Sequence, residues 1–415
     1  MWRETVILSL VVLGGVGIGC SSKSDSSGSQ DVDCGIAVDR FKELMIVDES
    51  VISDSRARND VNGPWSFRHV VESAMPDDGD TSASDFVTGW LNDWGATTEV
   101  NGFATDPQPQ NAGKSDRVEQ INALLICPWL QRSPSNGCDA ECKTCDKRVL
   151  NMAAAPFRLT AIVNRTDLRI RPDATSPAGE ARFIFALTQG PGDDPASTVS
   201  PMSLIFEYAL PDTKTPKGWV DAWHHLSSHT DFGDAFNAEL ESFTEQFVAR
   251  GVSPSRVNGS ALSQVRTNES TFNWVWQLRQ FHLNPAGDLR LAPVSNTPGS
   301  TLNNSQTLHD FATQNRDKIL TNQSVLPTSL LAGSANQLLG RWDIPGVDEP
   351  LRAAFARATC NGCHSGENPA IDLAFHVSPY RKGLDKLSLF VNNPKDPKHD
   401  ELGRREQLME RLLCQ

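Results

Sequence analysis

The sequence predicts an α+β fold: a large mixed body with an antiparallel sheet and packed helices, followed by a short, mainly helical C-terminal segment. Three observations carry this. Apolar residues recur at helical spacing from about Cys34 to Leu150, the period changes to two from Phe157, and helical spacing returns after Leu308.

The elements follow in chain order. Met1-Trp2-Arg3-Glu4 precedes an apolar run from Val6 to Ile18, then Gly19-Cys20 and a Ser/Gly-rich stretch to about Gln30. A charged end, an apolar middle and small residues before a cut form a secretion signal over residues 1–19. The run is short for a membrane span and lacks a basic flank on its far side; the competing reading is an uncleaved anchor helix. Residues 20–33 are expected to be a flexible tether. Cys20 after small residues resembles the bacterial lipoprotein box, which implies lipidation of Cys20. Ser21 behind it resembles lipoproteins sent to the outer membrane.

Ala83–Trp94 places Phe86, Val87, Trp90, Leu91 and Trp94 on one helix face, with Gly95 at its end. Arg117–Leu130 does the same with Val118, Ile121, Leu124 and Leu125, and Thr105–Gly113 between them is a Pro/Asn loop. Phe157, Leu159, Ala161 and Val163 then alternate with polar neighbours, and Arg182–Leu187 and Leu204–Leu210 are similar short runs. Trp274, Trp276, Leu278, Phe281 and Leu283 lead into Asn284-Pro285-Ala286-Gly287, then Leu289 and Leu291, a hairpin pattern. A helix interrupts the strands, with Phe236, Leu240, Phe243, Phe247 and Val248 on its apolar face and Glu239, Glu241 and Glu245 on a solvated one. Residues 34–349 are expected to form the body. Residues 350–415 should pack on it, because so short a segment alone would leave a bound cofactor exposed.

The net charge is -13, which argues against nucleic acid as a partner. Residues 351–415 hold ten Lys/Arg and eight Asp/Glu, a mildly basic patch on an acidic body.

Of nine cysteines, Cys20 is the lipidation candidate. Cys360-Asn361-Gly362-Cys363-His364 has the form of a covalent attachment site for one haem c. Two thiols two residues apart reach the porphyrin vinyl groups, and the histidine after the second is held under the iron. Leu351, Ala354, Phe355 and Ala358 form an apolar helical stripe leading into it. The alternatives are a Cys360–Cys363 disulfide and half of a zinc site. Six cysteines remain: Cys34, Cys127, Cys138, Cys142, Cys145 and Cys414. In an oxidising compartment these predict three disulfides of open pairing. For Cys138-x3-Cys142-x2-Cys145 a disulfide-laced loop is preferred over an iron–sulfur or zinc site.

The iron's other axial ligand is open on sequence grounds. His376 ranks first, Met409 second, and an open or distantly supplied position third; His399 sits in what reads as an exposed turn. Two histidines tend to a low potential, His/Met to a higher one, and an open position permits peroxide chemistry. His225-x3-His229 is a weaker metal candidate because the residues around it read as a loop.

Several stretches resemble a family of exported lipoproteins from myxobacteria and their relatives that carry a single C-terminal CxxCH motif. They are Trp65-Ser66-Phe67, Val100–Phe103, Pro156–Arg169, Ile205–Tyr208, Asn258–Leu262, Arg266–Glu269, Thr359–His364 and Phe375-His376-Val377. The chain departs from that pattern around Cys127–Cys145 and at Pro379-Tyr380-Arg381. The resemblance implies a single-haem lipoprotein and no particular substrate. The expectation is a membrane-anchored, cytochrome-like protein of the cell envelope that transfers electrons to a partner protein or senses redox state. The alternatives are a peroxidase-type haem enzyme and a cell-surface scaffold without haem.

Overall fold

The computed structural model describes residues 35–95, 99–105, 117–170, 176–272, 276–336, 341–364, 375–380, 383–397 and 400–415. The expected lipidation site Cys20, together with Cys34, Trp274 and His399, lies outside the described residues. No helix among the described residues is long and apolar enough to cross a membrane.

The described chain opens with a π turn over Arg40–Leu44, β1 (Met45–Ile46) and α1 (Glu49–Ile52), then α2 (Phe67–Ala74) and α3 (Ala83–Gly95). A small hairpin, β2 (Glu99–Val100) and β3 (Phe103–Ala104), precedes α4 (Arg117–Ile121), which runs through a π turn into α5 (Cys127–Gln131). Three long strands follow: β4 (Phe157–Arg165), β5 (Glu180–Thr188) and β6 (Val199–Ala209). Then come α6 (Pro216–His225), α7 (Asp234–Val248), β7 (Leu262–Glu269), β8 (Gln277–Leu278), β9 (Gln280–Leu283) and β10 (Leu289–Ala292). The last elements are α8 (Gln306–Gln314), α9 (Arg316–Leu320), β11 (Ala335–Asn336), α10 (Glu349–Ala358), α11 (Cys360–Cys363) and α12 (Glu401–Leu413).

The fold is α+β. Nine strands pair antiparallel in one sheet, ordered β1-β4-β5-β6-β7-β8-β11, with β9 also on β7 and β10 on β9. The expected hairpin is β9–β10, registering Leu283 with Leu289 and Phe281 with Leu291. Gly287 closes its turn at φ 92, a left-handed conformation that glycine adopts without strain.

One sheet face carries Phe183, Phe185, Leu204, Phe206, Tyr208, Val265 and Phe281, all buried, and helices cover it. Phe67 of α2 lies 4.4 Å from Phe157 and 6.0 Å from Phe185. Trp90 of α3 meets Phe206 at 6.1 Å and Phe281 at 5.8 Å, and Phe247 of α7 meets Phe183 at 6.2 Å. Each such pair contributes about 0.5–1.5 kcal/mol beyond simple burial. In α3 the five apolar residues expected on one face are all buried.

The opposite face is polar, and a β-bulge helps to make it so. The register shifts between Leu159 and Ala161, which pair with Phe185 and Ile184 respectively. Phe185 and Ile184 point to opposite faces. The sequence expectation of one continuous apolar face from Phe157 to Val163 is therefore corrected: Phe157 and Leu159 enter the main core, whereas Val163 lies on the far side beside Arg182.

Three further expectations change. Val118 is 53% exposed, because α4 widens into the π turn and the burial passes to Ile121, Leu125, Trp129 and Leu130. The glutamates of α7 do not form a plain solvated face: Glu239 reaches His229 at 2.7 Å, Glu241 reaches Arg56 and Glu245 reaches His69 at 2.9 Å. His225 ends a helix instead of lying in a loop, and it shares Glu239 with His229.

Residues 341–415 pack on the body as expected. Leu402, Met409, Leu412 and Leu413 of α12, with Val377, Leu387 and Val391, join the same core as the helices of the first half. Arg40 pins this segment through Asp400 at 2.8 Å and Glu406 at 2.6 Å. Cys127–Cys142 and Cys138–Cys145 are disulfides, and Cys414 is bridged as well.

Candidate functional site

The C-terminal segment does not seal onto the polar sheet face. It leaves a cavity of about 320 Å³ between them, at the lower end of the range for small-molecule sites. Cys360, Cys363, His364 and His376 all line it.

The CxxCH turn is built by local chemistry. Asp348 caps α10 by accepting from the Leu351 N–H, and Pro350 sits in its first turn. The chain stops at Thr359, whose hydroxyl accepts from the Gly362 N–H at 3.1 Å and caps the short turn of α11. The indole of Trp342 donates to Thr359 Oγ1 at 3.0 Å and to Asn361 Oδ1 at 2.9 Å. Gly362 has no room for a side chain, since a Cβ there would lie 2.0 Å from the Ala356 carbonyl oxygen. The two residues between the cysteines thus hold the turn from behind and leave the thiols to the cavity. Cys360 and Cys363 are half-buried and belong to no disulfide.

His364 stacks on Trp276, with centroids 4.5 Å apart and an interplanar angle of 13°. His376 comes from a different segment, thirteen residues after Cys363, which is held by a bridge between Val377 and Leu387 and by the Ser388 N–H donating to its carbonyl at 3.0 Å. Its ring lies 4.1 Å from that of His364 and 4.8 Å from that of Phe390. Nδ1 lies 3.3 Å from Ser388 Oγ, and Nε2 lies 3.4 Å from Cys363 Sγ. Burial, then the charges of His364, Arg405 and Arg165, hold His376 well below the ordinary imidazole range, so it is neutral. Donation of the ring proton from Nδ1 to Ser388 would leave Nε2 with a lone pair toward the cysteine, the tautomer a metal ligand needs.

Met409 is placed elsewhere. It is 1% exposed, sits in the main core and accepts from Asn164 Nδ2 at 3.6 Å. The structure therefore brings together Cys360, Cys363, His364 and His376, and sets Met409 apart. The Sγ atoms of Cys138, Cys142 and Cys145 lie within 4.8 Å of one another, but these residues are committed to disulfides.

Sequence reasoning missed the other half of the site. Across the cavity stand Arg165 of β4, Arg182 of β5, Gln264 and Arg266 of β7 and Arg405 of α12. Their ion pairs fall into two groups, Arg165 and Arg405 with Asp167 and Glu401, and Arg182 and Arg266 with Glu180 and Glu207. Arg165 pairs with Asp167 at 2.9 Å, Arg182 with Glu180 at 3.0 Å and Glu207 at 3.1 Å, Arg266 with Glu207 at 3.4 Å, and Arg405 with Glu401 at 3.0 Å. The signal was in the sequence: Arg182, Glu207, Gln264 and Arg266 occupy the polar phase of their strands, and that phase reads as solvent-facing until something covers it. β7 itself was missed as a strand because half of its side chains belong to this polar row.

Burial acts to raise the Glu401 carboxyl, but Arg405 and Arg404 outweigh it and bring it down to about 2. A carboxyl depressed on folding stabilises the fold above its unfolded pKa, near 4.5, and that contribution fades as pH falls toward 2. The thermal midpoint should therefore hold from neutrality to about pH 5 and fall steeply below, with Glu401→Gln flattening the fall. A wild-type midpoint unchanged at about pH 3 would contradict this coupling.

Comparison with protein families, with curated proteins and with solved structures finds no match for this chain.

Proposed function

We propose that this protein is a cell-envelope lipoprotein, anchored through Cys20, that carries one covalent haem c and passes single electrons to a partner protein. One observation carries the reading: among the described cysteines Cys360 and Cys363 alone belong to no disulfide, and both line the cavity that His364 and His376 also line, whereas the others are bridged. Bridged cysteines also fit an oxidising compartment, where haem c is attached.

The residues suit the group. Cys360 and Cys363 would hold it through thioethers and His364 would be the first axial ligand, its ring steadied by Trp276. His376, neutral and oriented by Ser388, is the best placed second ligand. The two rings stand 4.1 Å apart, so for both to hold one iron the segment around His376 would have to give way. Once bound, the haem supplies a one-electron couple. A histidine already beside His364 favours a closed, electron-carrying site over an open one for peroxide.

The test is expression together with the haem-attachment machinery, followed by a haem stain on a denaturing gel. One stained band at the mass of the chain is expected, and an unstained chain would overturn the proposal. In the stained protein, His376→Ala should convert a low-spin spectrum to a high-spin one. An unchanged low-spin spectrum would remove His376 from the iron.

A further inference from the structure

We infer that the sheet-side wall of the cavity is a carboxylate-binding subsite, with Arg405 and Arg182 as its donors. Arg405 is 93% buried by its side chain's 7% exposure. Its Nε donates to Glu401 at 3.0 Å, while its Nη1 is buried and meets no acceptor. Arg182 spends Nη2 on Glu180 and Glu207, and its Nε is likewise buried without an acceptor. Both residues line the cavity.

The carboxylates nearby are already engaged. Asp167 is shared by Arg165 and Arg404, Glu401 by Arg404 and Arg405, and Glu207 by Arg182, Arg266 and Gln264. With Glu180, these pairs set five guanidiniums against four carboxylates, and Arg357 lines the same cavity, so the wall is net positive. Burying an uncompensated cation and leaving its N–H groups without acceptors are both unfavourable, and one ligand carboxylate relieves both. The planar N–H fork of a guanidinium matches a carboxylate. Val163, Ile184, Ile205 and Phe390 in the same cavity fit the apolar body of an organic acid.

That carboxylate has two possible sources: a propionate of the haem itself, which rests on the function proposed above, or a free organic acid sharing the cavity, which does not. The full-length chain, produced with the haem-attachment machinery, is compared with Arg405→Gln, Arg405→Lys and Arg182→Gln, each checked for a cooperative melt. In one arm the haem midpoint potential is followed from about pH 5 to about pH 8. If Arg405 holds a propionate, Arg405→Gln acquires a pH slope that the wild type lacks and Arg405→Lys does so less. In the other arm succinate is titrated against the thermal midpoint. If the subsite takes a free acid, the midpoint rises saturably and Arg405→Gln or Arg182→Gln weakens the effect by about tenfold or more. Either result supports the subsite and names its occupant. Wild type and folded variants alike in both arms overturn it. A chain that carries no haem defeats the haem reading, and the succinate arm then decides the subsite alone.

Discussion

Replacing Cys360 and Cys363 together by alanine is expected to abolish the covalent haem stain completely while the chain still folds. Among the described residues no other free thiol exists to replace them. Each single replacement leaves one thioether and should give a weaker stain. The cost to stability should be about 1 kcal/mol or less per site, because each thiol is only half-buried and faces a cavity. The turn that carries the thiols is held by Thr359, Trp342 and the Gly362 backbone, none of which the replacements touch. Haem stain on a gel and a urea titration of the same preparations make the check. Undiminished staining of the double variant would place the attachment elsewhere. Loss of the fold would mean that the thiols are structural, which favours the scaffold reading.

The second large effect is expected at a buried ion pair outside the cavity lining. Arg117→Ala should cost roughly 3–5 kcal/mol of stability, read from the shift in urea midpoint at constant slope. Arg117 and Glu269 have side chains only 5% and 2% exposed. Arg117 Nη2 donates to both Glu269 oxygens at 2.9 and 2.8 Å, its Nε to the Trp94 carbonyl at 3.0 Å and its Nη1 to Gln277 Oε1 at 3.2 Å. It thereby ties α4 to the end of α3 and to β7 and β8. Truncation strands a buried carboxylate, with Arg279 at 3.6 Å and the Thr267 hydroxyl at 3.0 Å as incomplete compensation. Because stranding is the cause, the double variant Arg117→Met with Glu269→Leu should lose much less than Arg117→Ala alone. A double variant as unstable as the single one would mean that the packing of the arginine stem, not its charge, is what matters.

Legibility followed the range of the interaction. The face of α3, the β9–β10 hairpin with its Asn284–Gly287 turn, the apolar stripe of α10 and the CxxCH turn all depend on residues within a few positions of one another, so spacing alone shows them. The face swap at Thr160 was not legible, because a bulge is defined by the strand opposite it. Neither was the fate of Val118, which hinged on one widened helical turn, nor that of Arg117, which reads as a helix-opening surface residue and is a buried ion pair.

By itself, then, the sequence determined the α+β class, the disulfide-rich loop and the tight turn at Cys360–His364. Tertiary structure alone decided that His376 comes beside His364 while Met409 goes into the core, and that a charged sheet face becomes the wall of a cavity. The physical reason is that a polar strand face looks the same in sequence whether water or another part of the chain covers it. Only packing residues 341–415 over that face, with Arg405 of α12 joining Arg182 and Arg266 of the sheet, turns a solvated row of charges into a buried site.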